Sequence, residues 1–432
     1  MDYFTDNYFK RFTYLLQQRK LMFSLLLIFF VTQVIAQQNT SWQACPTTVD
    51  KLSKSKPNFN YLENKVPAYS LPEVLTTQQG IKVIHKIEWE KVRRPELLEL
   101  FTNQVYGRVP NTPFKTEVKI IRVDPNAMDG AATLKLIDIT FSVNSKSLTI
   151  HLGLFIPNNI TKPSPAFLMI CNRNPDENID FHRVNKSEFW PAEEVIARGY
   201  AVAAFYNGDV DTDDFDDFKN GIHGLLDTKR SNESWGTLAA WAWGASRCLD
   251  YLMTEKVIDP NKIAVIGHSR GAKAALWAGA TDKRFAMVCS NEAGCGGASL
   301  ARRRFGETVA QINRSYPHWF CSNYKNYNNN EDAMPVDMHQ LMALIAPRAL
   351  YVAAASDDLW GDPKGQYLAL YHSLPAFQLY QKETRLLENM PALNTSIQSD
   401  KVAYHVRDGE HNLLLKDWIF FMDFADKVFR CK

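Results

Sequence analysis

The chain has 432 residues, of which 46% are hydrophobic and 22% are charged, and its formal net charge at pH 7 is +2. This is the composition of an ordinary globular protein, with enough apolar residues to form a large core. A net charge so close to zero gives no electrostatic reason to expect nucleic acid or a charged membrane surface as a partner.

The N-terminal residues have the pattern of an export signal. Arg19 and Lys20 precede an apolar run at residues 21–32, and a small-residue cleavage site ends at Ala36. The run is too short and wrongly flanked for a helix that spans a bilayer. The sequence therefore predicts a signal peptide over residues 1–36 and a secreted or periplasmic protein without stable membrane association after cleavage. The long stretch before the run leaves a start at Met22 or an uncleaved anchor open.

Cysteine usage fits an exported protein but does not define its disulfides. An odd number of cysteines leaves at least one thiol unpaired. Cys45 and Cys431 lie near the two ends of the mature chain, so a bridge between them is one pairing to consider. No C-x-x-C occurs, so we expect neither a zinc ribbon nor a redox pair. The seven cysteines are Cys45, Cys171, Cys248, Cys289, Cys295, Cys321 and Cys431.

The chain then divides into a polar segment and one large domain. Residues 37–80 are rich in turn-forming residues and indicate an N-terminal extension, whereas residues 81–432 carry the patterns of regular structure. Residues 81–84 and 116–121 alternate as amphipathic strands do, and residues 134–141 and 148–157 predict an antiparallel pair. The continuous apolar runs 166–171 and 201–206 are typical of buried parallel strands.

Helical and strand patterns alternate from there to the C-terminus. Helices are predicted at residues 192–199, ending at Gly199, and at residues 238–254. Further strands are predicted at residues 285–290, 349–355 and 402–406. This alternation predicts the α/β class, with a mostly parallel central sheet and helices on both faces.

Residues 267–271 read Gly-His-Ser-Arg-Gly, between a β-branched strand and an Ala-rich helix. A strand that turns sharply into a helix at a serine is the nucleophile elbow of the α/β-hydrolase fold. Only small residues two positions before and after the serine let the backbone make this turn. Ser269 is therefore the candidate nucleophile, at a helix N-terminus where backbone N–H groups favour developing negative charge.

A serine nucleophile needs a base, and the base needs an orienting carboxylate. In α/β-hydrolases the acid and then the histidine follow the serine along the chain. His405 lies within the last predicted strand, which indicates a structural role. His411 lies in the turn after that strand, where this architecture places reacting groups. We therefore predict His411 as the base.

Two strand ends offer a carboxylate for His411. Glu292 follows the strand after the elbow, and Asp357 and Asp358 follow the next one. Both ends should face one crevice, so either acid could reach the histidine. The alternative for Asp357 and Asp358 is a solvated turn or a helix cap. The carboxylate of Glu292 follows a buried strand, so it needs a partner in the folded protein.

Two cations follow the nucleophile. The backbone N–H of Arg270 is the expected oxyanion donor, and its guanidinium could add a second donor unless it only forms a surface salt bridge. Lys273 lies on the same helix face as Ser269 and could reach a substrate, or simply extend to solvent. An acidic run suggests a calcium loop, but it lacks the glycine and terminal glutamate of an EF-hand, so a solvated loop is the preferred interpretation. The run comprises Asp209, Asp211, Asp213, Asp214, Asp216 and Asp217.

At these residues the chain resembles the glucuronoyl esterases, carbohydrate esterase family 15. Residues 267–273 are similar to the family's G-x-S-R-x-G-K pattern, with a mild departure at Gly271 and Ala272. Residues 291–298 resemble its E-S-G-x-G-G-A segment. Similar blocks occur at residues 317–320, 336–341, 346–348 and 358–363 and in the loop of His411, so the resemblance spans about residues 80–430.

The resemblance implies an α/β-hydrolase domain that cleaves esters of glucuronic acid, as in lignin–carbohydrate linkages of glucuronoxylan. It implies Ser269 as nucleophile, His411 as base, Glu292 as acid and Arg270 as oxyanion stabiliser. Some family members carry their acid on the strand that here ends at Asp357, which is therefore kept as a second, supporting or substituting acid.

By the same carry-over, Lys273, Glu307 and Trp360 match positions that contact the sugar. No metal or organic cofactor is expected, and the protein is expected to act as a monomer. Two alternatives stay open. One is another carbohydrate esterase on the same fold, of the acetylxylan or feruloyl type. The other is an inactive relative that only binds carbohydrate.

Overall fold

The computed structural model describes residues 41–430 of the chain. The predicted signal peptide, its cleavage site and Cys431 lie outside the described residues. From Trp42 onward the chain forms one compact unit, so residues 42–80 belong to the same body as the rest of the described chain.

The strands of the described chain form one ten-stranded sheet in the order β1-β2-β3-β5-β4-β6-β7-β8-β10-β9. Neighbours are antiparallel from β1 to β5 in this order, parallel from β5 through β10, and antiparallel again at β9. The strands are β1 (Lys115–Ala127), β2 (Ala132–Val143), β3 (Lys146–Pro157), β4 (Ser164–Cys171), β5 (Ala201–Tyr206), β6 (Ile258–His268), β7 (Met287–Asn291), β8 (Ala349–Ala355), β9 (Ser396–Gln398) and β10 (Val402–Arg407).

The α-helices of the same residues are α1 (Pro46–Ser55), α2 (Lys86–Glu88), α3 (Arg94–Phe101), α4 (Pro175–Asn178), α5 (Ala192–Ala197), α6 (Gly221–Leu226), α7 (Thr237–Leu252), α8 (Arg270–Thr281), α9 (Val309–Ser315), α10 (Met338–Ala343), α11 (Pro363–Gln378) and α12 (Leu415–Arg430). Short 3₁₀ turns lie in the connections, among them Glu63–Lys65, Ala301–Arg303 and Leu359–Gly361.

The central strands are buried on both faces. On β4, Leu168 and Ile170 lie in one hydrophobic cluster, whereas Phe167 and Met169 lie in another. Successive residues of a strand point to opposite faces, so such a strand needs cover on both sides. Helices α7, α8, α10 and α11 contribute to the first cluster, and α5 and α12 to the second. The predicted α/β architecture is confirmed.

The strand predictions are confirmed at the centre of the sheet, including the antiparallel pair β2 and β3. The strand predicted at residues 81–84 is wrong. There the chain makes only an isolated bridge between Thr76 and Lys82, and Ile81 and Ile84 are exposed. Four alternating residues with no neighbouring strand cannot form a ladder.

Among the described residues, no helix combines the length and apolarity that crossing a bilayer requires. The six cysteines in this part of the chain are all free thiols.

Candidate active site

The serine of the G-x-S-x-G motif sits at a sharp turn between β6 and α8. Ser269 has φ 55° and ψ −122°, a conformation that non-glycine residues rarely adopt. Its N–H donates to the carbonyl of Asn291 at 2.9 Å. A Cβ atom at Gly267 would collide with the backbone of Gly271, and one at Gly271 would lie 3.0 Å from the carbonyl oxygen of Ile170. Glycine is therefore required at position 267, a side chain at position 271 would need its neighbours to shift, and the elbow geometry predicted from the motif is present.

His411 lies beside two carboxylates. Its Nδ1 is 2.9 Å from Oε2 of Glu292 and 2.8 Å from Oδ2 of Asp358. The His411 side chain is 41% exposed, whereas that of Glu292 is fully buried. Because Nδ1 is engaged by the carboxylates, Nε2 is the nitrogen that remains for a reacting group.

The second carboxylate at His411 is that of Asp358, and not that of Asp357. The 3₁₀ turn after β8 points the two neighbours in different directions. Asp358 accepts the N–H of Gly361 at 3.2 Å as well as facing His411. Asp357 instead accepts the hydroxyl of Thr48 at 3.2 Å. The supporting position predicted for Asp357 is thus corrected by one residue.

Glu292 is held by a buried network. Its Oε1 accepts from Nη2 of Arg407 at 2.8 Å, and its Oε2 accepts the backbone N–H of Asn412 at 3.0 Å. Arg407 also pairs with buried Asp417 at 2.9 Å, which in turn contacts His405 at 2.8 Å. A buried carboxylate needs such partners. The structural role predicted for His405 follows from this contact.

The two carboxylates shift the proton affinity of the histidine. Burial by itself lowers the pKa of His411, but the charges and hydrogen bonds of Asp358 and Glu292 outweigh it and raise the pKa well above the ordinary value. Burial raises the pKa of Glu292, while His411 and Arg407 act in the opposite direction. His411 is therefore held by groups that favour its protonated form.

Lys273, Glu307 and Trp360 are brought together next to these carboxylates. The backbone N–H of Glu307 donates to the carbonyl of Trp360 at 3.0 Å. Burial raises the pKa of the Glu307 carboxyl, and the Trp360 side chain acts in the opposite direction. Lys273 is buried and donates to the carbonyl of Ala293. Burial lowers the pKa of Lys273, while the charge of Glu307 raises it. The arrangement combines an aromatic ring, a carboxylate and an ammonium, the groups that bind a hydroxylated ring.

Comparisons with known proteins agree on one family. Residues 139–379 match the family model described as glucuronyl esterase of fungi. The chain is 37% identical to carbohydrate esterase MZ0003, from an unknown prokaryotic organism, over 85% of this chain and 91% of the relative. The chain belongs to the glucuronoyl esterase family, carbohydrate esterase family 15.

Further relatives support the assignment. The 4-O-methyl-glucuronoyl methylesterase of Podospora anserina is 29% identical over 68% of this chain and 56% of its own length. A solved glucuronoyl esterase from Solibacter usitatus superposes with a TM-score of 0.80 at 36% identity, covering 85% of this chain and 100% of that structure. The fold is therefore that of an α/β-hydrolase, and the chain is a carboxylic ester hydrolase.

In this esterase the Arg270 guanidinium does form a salt bridge, as one alternative anticipated, but the bridge lies at the site. Its partner is the half-buried carboxylate of Asp213. The same carboxylate accepts the indole N–H of Trp319 at 2.7 Å and faces Nε2 of His318 at 3.1 Å. Arg270 also lies 4.9 Å from the centre of the Trp319 ring and 5.0 Å from that of Tyr316. Asp213 thus fixes where the Arg270 guanidinium sits.

The acidic run is accordingly more than a solvated loop. Asp211 is buried and accepts the hydroxyl of Thr237 at 2.6 Å. Asp214 and Asp217 are exposed, which fits the prediction for that part only. The sequence of such a run does not show which aspartates are buried, because the partners of the buried ones come from distant segments.

The position of His268 beside His411 was not predicted from the sequence. His268 is buried, its Nδ1 is 2.6 Å from Oδ1 of Asn291, and Nη2 of Arg173 lies 3.3 Å from its Nε2. Burial lowers its pKa, so the ring stays neutral. Its ring centre lies 4.5 Å from that of His411. His268 is a neutral ring against which the imidazole of His411 packs, and its place directly before Ser269 was the available signal.

His268, Glu292 and His411 also lie close enough together to be considered as metal ligands. Both nitrogens of His268, Nδ1 of His411 and both carboxylate oxygens of Glu292 are, however, engaged by hydrogen bonds and ion pairs. The guanidinium groups of Arg173 and Arg407 adjoin them and would repel a cation. The donor set is suited to proton transfer rather than to holding a metal ion.

Proposed function

We propose that the chain is an exported serine esterase that hydrolyses esters of glucuronic acid or its 4-O-methyl ether, as in the lignin–carbohydrate linkages of glucuronoxylan. Ser269, His411 and Glu292 form the catalytic triad, with Asp358 as a second carboxylate at the base. Lys273, Glu307 and Trp360 bind the uronate ring. The protein works as a monomer in the periplasm or outside the cell, without stable membrane association.

The reaction begins with attack of the Ser269 Oγ on the carbonyl carbon of the ester. Nε2 of His411 takes the hydroxyl proton, and Glu292 and Asp358 stabilise the imidazolium that forms. The carbonyl oxygen becomes an oxyanion beside the N–H and guanidinium of Arg270. As the ester bond breaks, His411 gives the proton to the departing alcohol, which leaves a glucuronoyl ester on Ser269.

Water then completes the cycle. His411 removes a proton from the water, whose oxygen attacks the acyl carbon. The bond to Ser269 breaks, His411 returns the proton to the serine oxygen, and glucuronate leaves. None of the residues named in this reaction has to bind the alcohol. The reaction is therefore compatible with a large leaving group that stays partly in solvent.

One observation carries the proposal. Asp358 links the side chains proposed to react with those proposed to bind the sugar. It contacts His411, and its charge acts on both Lys273 and Glu307. Glu292 after β7, Asp358 after β8 and His411 after β10 therefore lie together at one edge of the sheet. Such convergence of titratable side chains is typical of an active site.

The test is a panel of esters with the mature chain. We expect benzyl glucuronate to be hydrolysed faster than methyl galacturonate and than an acetylated xylan fragment. A Ser269→Ala variant should lose activity by a factor on the order of 10⁴ or more. Faster cleavage of the acetyl ester would contradict the proposed substrate, and an active Ser269→Ala variant would contradict the proposed chemistry.

A further inference from the structure

The N-terminal segment, residues 45–65, packs directly onto the part of the site that holds Trp360. Its helix α1 places Thr48 against Asp357, one residue before the acid at His411. Further along, the carbonyl of Asn60 accepts the N–H of Gly306 at 2.8 Å, one residue before Glu307. The segment thus contacts the chain next to two residues of the proposed site.

Aromatic packing reinforces these contacts. The ring of Phe59 meets that of Trp360 edge to face, with ring centres 4.7 Å apart. Tyr61 packs in the same way on Phe305, at 6.2 Å. Because both partners flank the loop of Glu307, the N-terminal segment helps to form the surface on which these groups stand.

Lys56 places a charge on the ring of Trp360. Its Nζ lies 3.8 Å from the centre of the Trp360 ring, a cation–π geometry. The side chain is exposed, and among the described residues it forms no ion pair. Its charge nevertheless acts on half-buried Glu307, where burial raises the pKa and Lys56 lowers it. An ammonium has three N–H donors, and only the ring face engages this one.

Unsatisfied polar groups point the same way. The hydroxyl of Tyr61 is buried without a hydrogen-bond partner within the described chain. Burial raises its pKa, and so do the charges of Asp358 and Glu307, so the hydroxyl lies within electrostatic reach of both site carboxylates. Buried polar groups are normally paired. The N-terminal segment therefore brings a polar group, as well as aromatic rings, close to the carboxylates of Asp358 and Glu307.

We propose that the N-terminal segment forms one wall of the sugar-binding cleft and that Lys56 determines specificity by donating hydrogen bonds to hydroxyl groups of carbohydrate bound at Trp360. This inference rests on the proposed function. The ligand is an uncharged, hydroxylated sugar ring, because the uronate carboxyl is esterified in the substrate. An ammonium that already lies on an aromatic ring loses less conformational freedom when it binds the sugar.

The test compares Lys56→Met with Lys54→Met. Methionine keeps most of the aliphatic stem and removes the ammonium. Lys54 lies in the last turn of α1, two residues before Lys56, is 75% exposed and pairs with Asp50, so it is the matched control. Each variant is assayed on benzyl glucuronate and on p-nitrophenyl acetate, which has no sugar.

We expect Lys56→Met to raise KM for benzyl glucuronate about fivefold, the loss of one net hydrogen bond, with kcat nearly unchanged. For the acetate ester, KM and kcat should change little. Lys56→Arg, which keeps the charge, should keep the low KM of the wild type for benzyl glucuronate. Equal loss on both esters would mean that Lys56 only supports the fold, and values equal to those of Lys54→Met would also overturn the inference. A wild-type chain that cleaves the acetate but not the glucuronate would instead contradict the proposed function, and this inference with it.

Discussion

The loop after β7 and the loop after β8 each bring a carboxylate to the same nitrogen of His411, but they do so in different surroundings. Glu292 is fully buried and is held by Arg407 and by the N–H of Asn412. Asp358 lies at the start of a 3₁₀ turn, where it also accepts the N–H of Gly361. The first carboxylate has fixed partners, whereas the second faces the proposed sugar site.

This difference indicates a division of labour. A carboxylate fixed by a buried guanidinium is well placed to orient an imidazole, since it cannot turn away without leaving a buried charge unpaired. Asp358 is also buried, but no guanidinium pairs with it in the described part of the chain, so it acts on His411 mainly through its charge. We expect Glu292 to set the geometry of His411 and Asp358 to tune its pKa.

The largest effect is expected from Glu292→Gln. The amide cannot stabilise the imidazolium, and it leaves Arg407 with a weaker partner in the interior. We expect kcat on benzyl glucuronate to fall by a factor on the order of 10² to 10⁴. Thermal unfolding should also shift to a lower temperature, as measured by circular dichroism.

Asp358→Asn is the paired variant for this comparison. A loss of kcat in Asp358→Asn that exceeds the loss in Glu292→Gln would reverse the assignment of the two acids. Similar, small losses in both would show that either carboxylate alone suffices to orient His411.

Asp358→Asn should also move the pH dependence. His411 must be neutral to accept the proton, so kcat/KM rises with pH through its pKa. The charge of Asp358 raises that pKa, and its removal therefore lowers it. We expect the acidic limb of the profile to move to lower pH by about one unit. Asp357→Asn, which changes the carboxylate bound to Thr48, should leave the limb in place.

A smaller effect is expected from Asp213→Asn. This variant tests whether Arg270, the proposed oxyanion donor, depends on its ion pair with Asp213. The variant removes the charge that fixes Arg270 but retains an oxygen for Trp319. We expect kcat to fall about tenfold with little change in KM, because the oxyanion exists only during the reaction. Asp217→Asn, exposed on the same loop, is the control. A change confined to KM would contradict the assigned role.

Local patterns predicted the parts of this site that neighbouring residues determine. The elbow at Ser269 requires only that small residues flank a serine between a strand and a helix, and the short sequence 267–271 contains all of this. The strand ends at Glu292 and before His411 follow from apolar runs in the same way.

The remaining parts depend on contacts between distant segments. Asp357 and Asp358 are alike in sequence, and only the turn after β8 and the contact with Thr48 separate them. Arg407 lies 115 residues beyond Glu292 in the chain, so no local pattern relates the two. The N-terminal segment looks like a polar extension because its partners, Phe305 and Trp360, come from much later in the chain.

The central claim is that His411, with its pKa raised by two carboxylates, activates Ser269. It can be tested without any assumption about the substrate by the rate at which a fluorophosphonate probe labels Ser269 across a pH series. We predict labelling of the peptide that contains Ser269, at a rate that rises with pH and whose midpoint lies above the ordinary histidine pKa. In Asp358→Asn the midpoint should move to lower pH. Folded protein that is not labelled, or labelling that is unchanged in His411→Ala, would contradict the account.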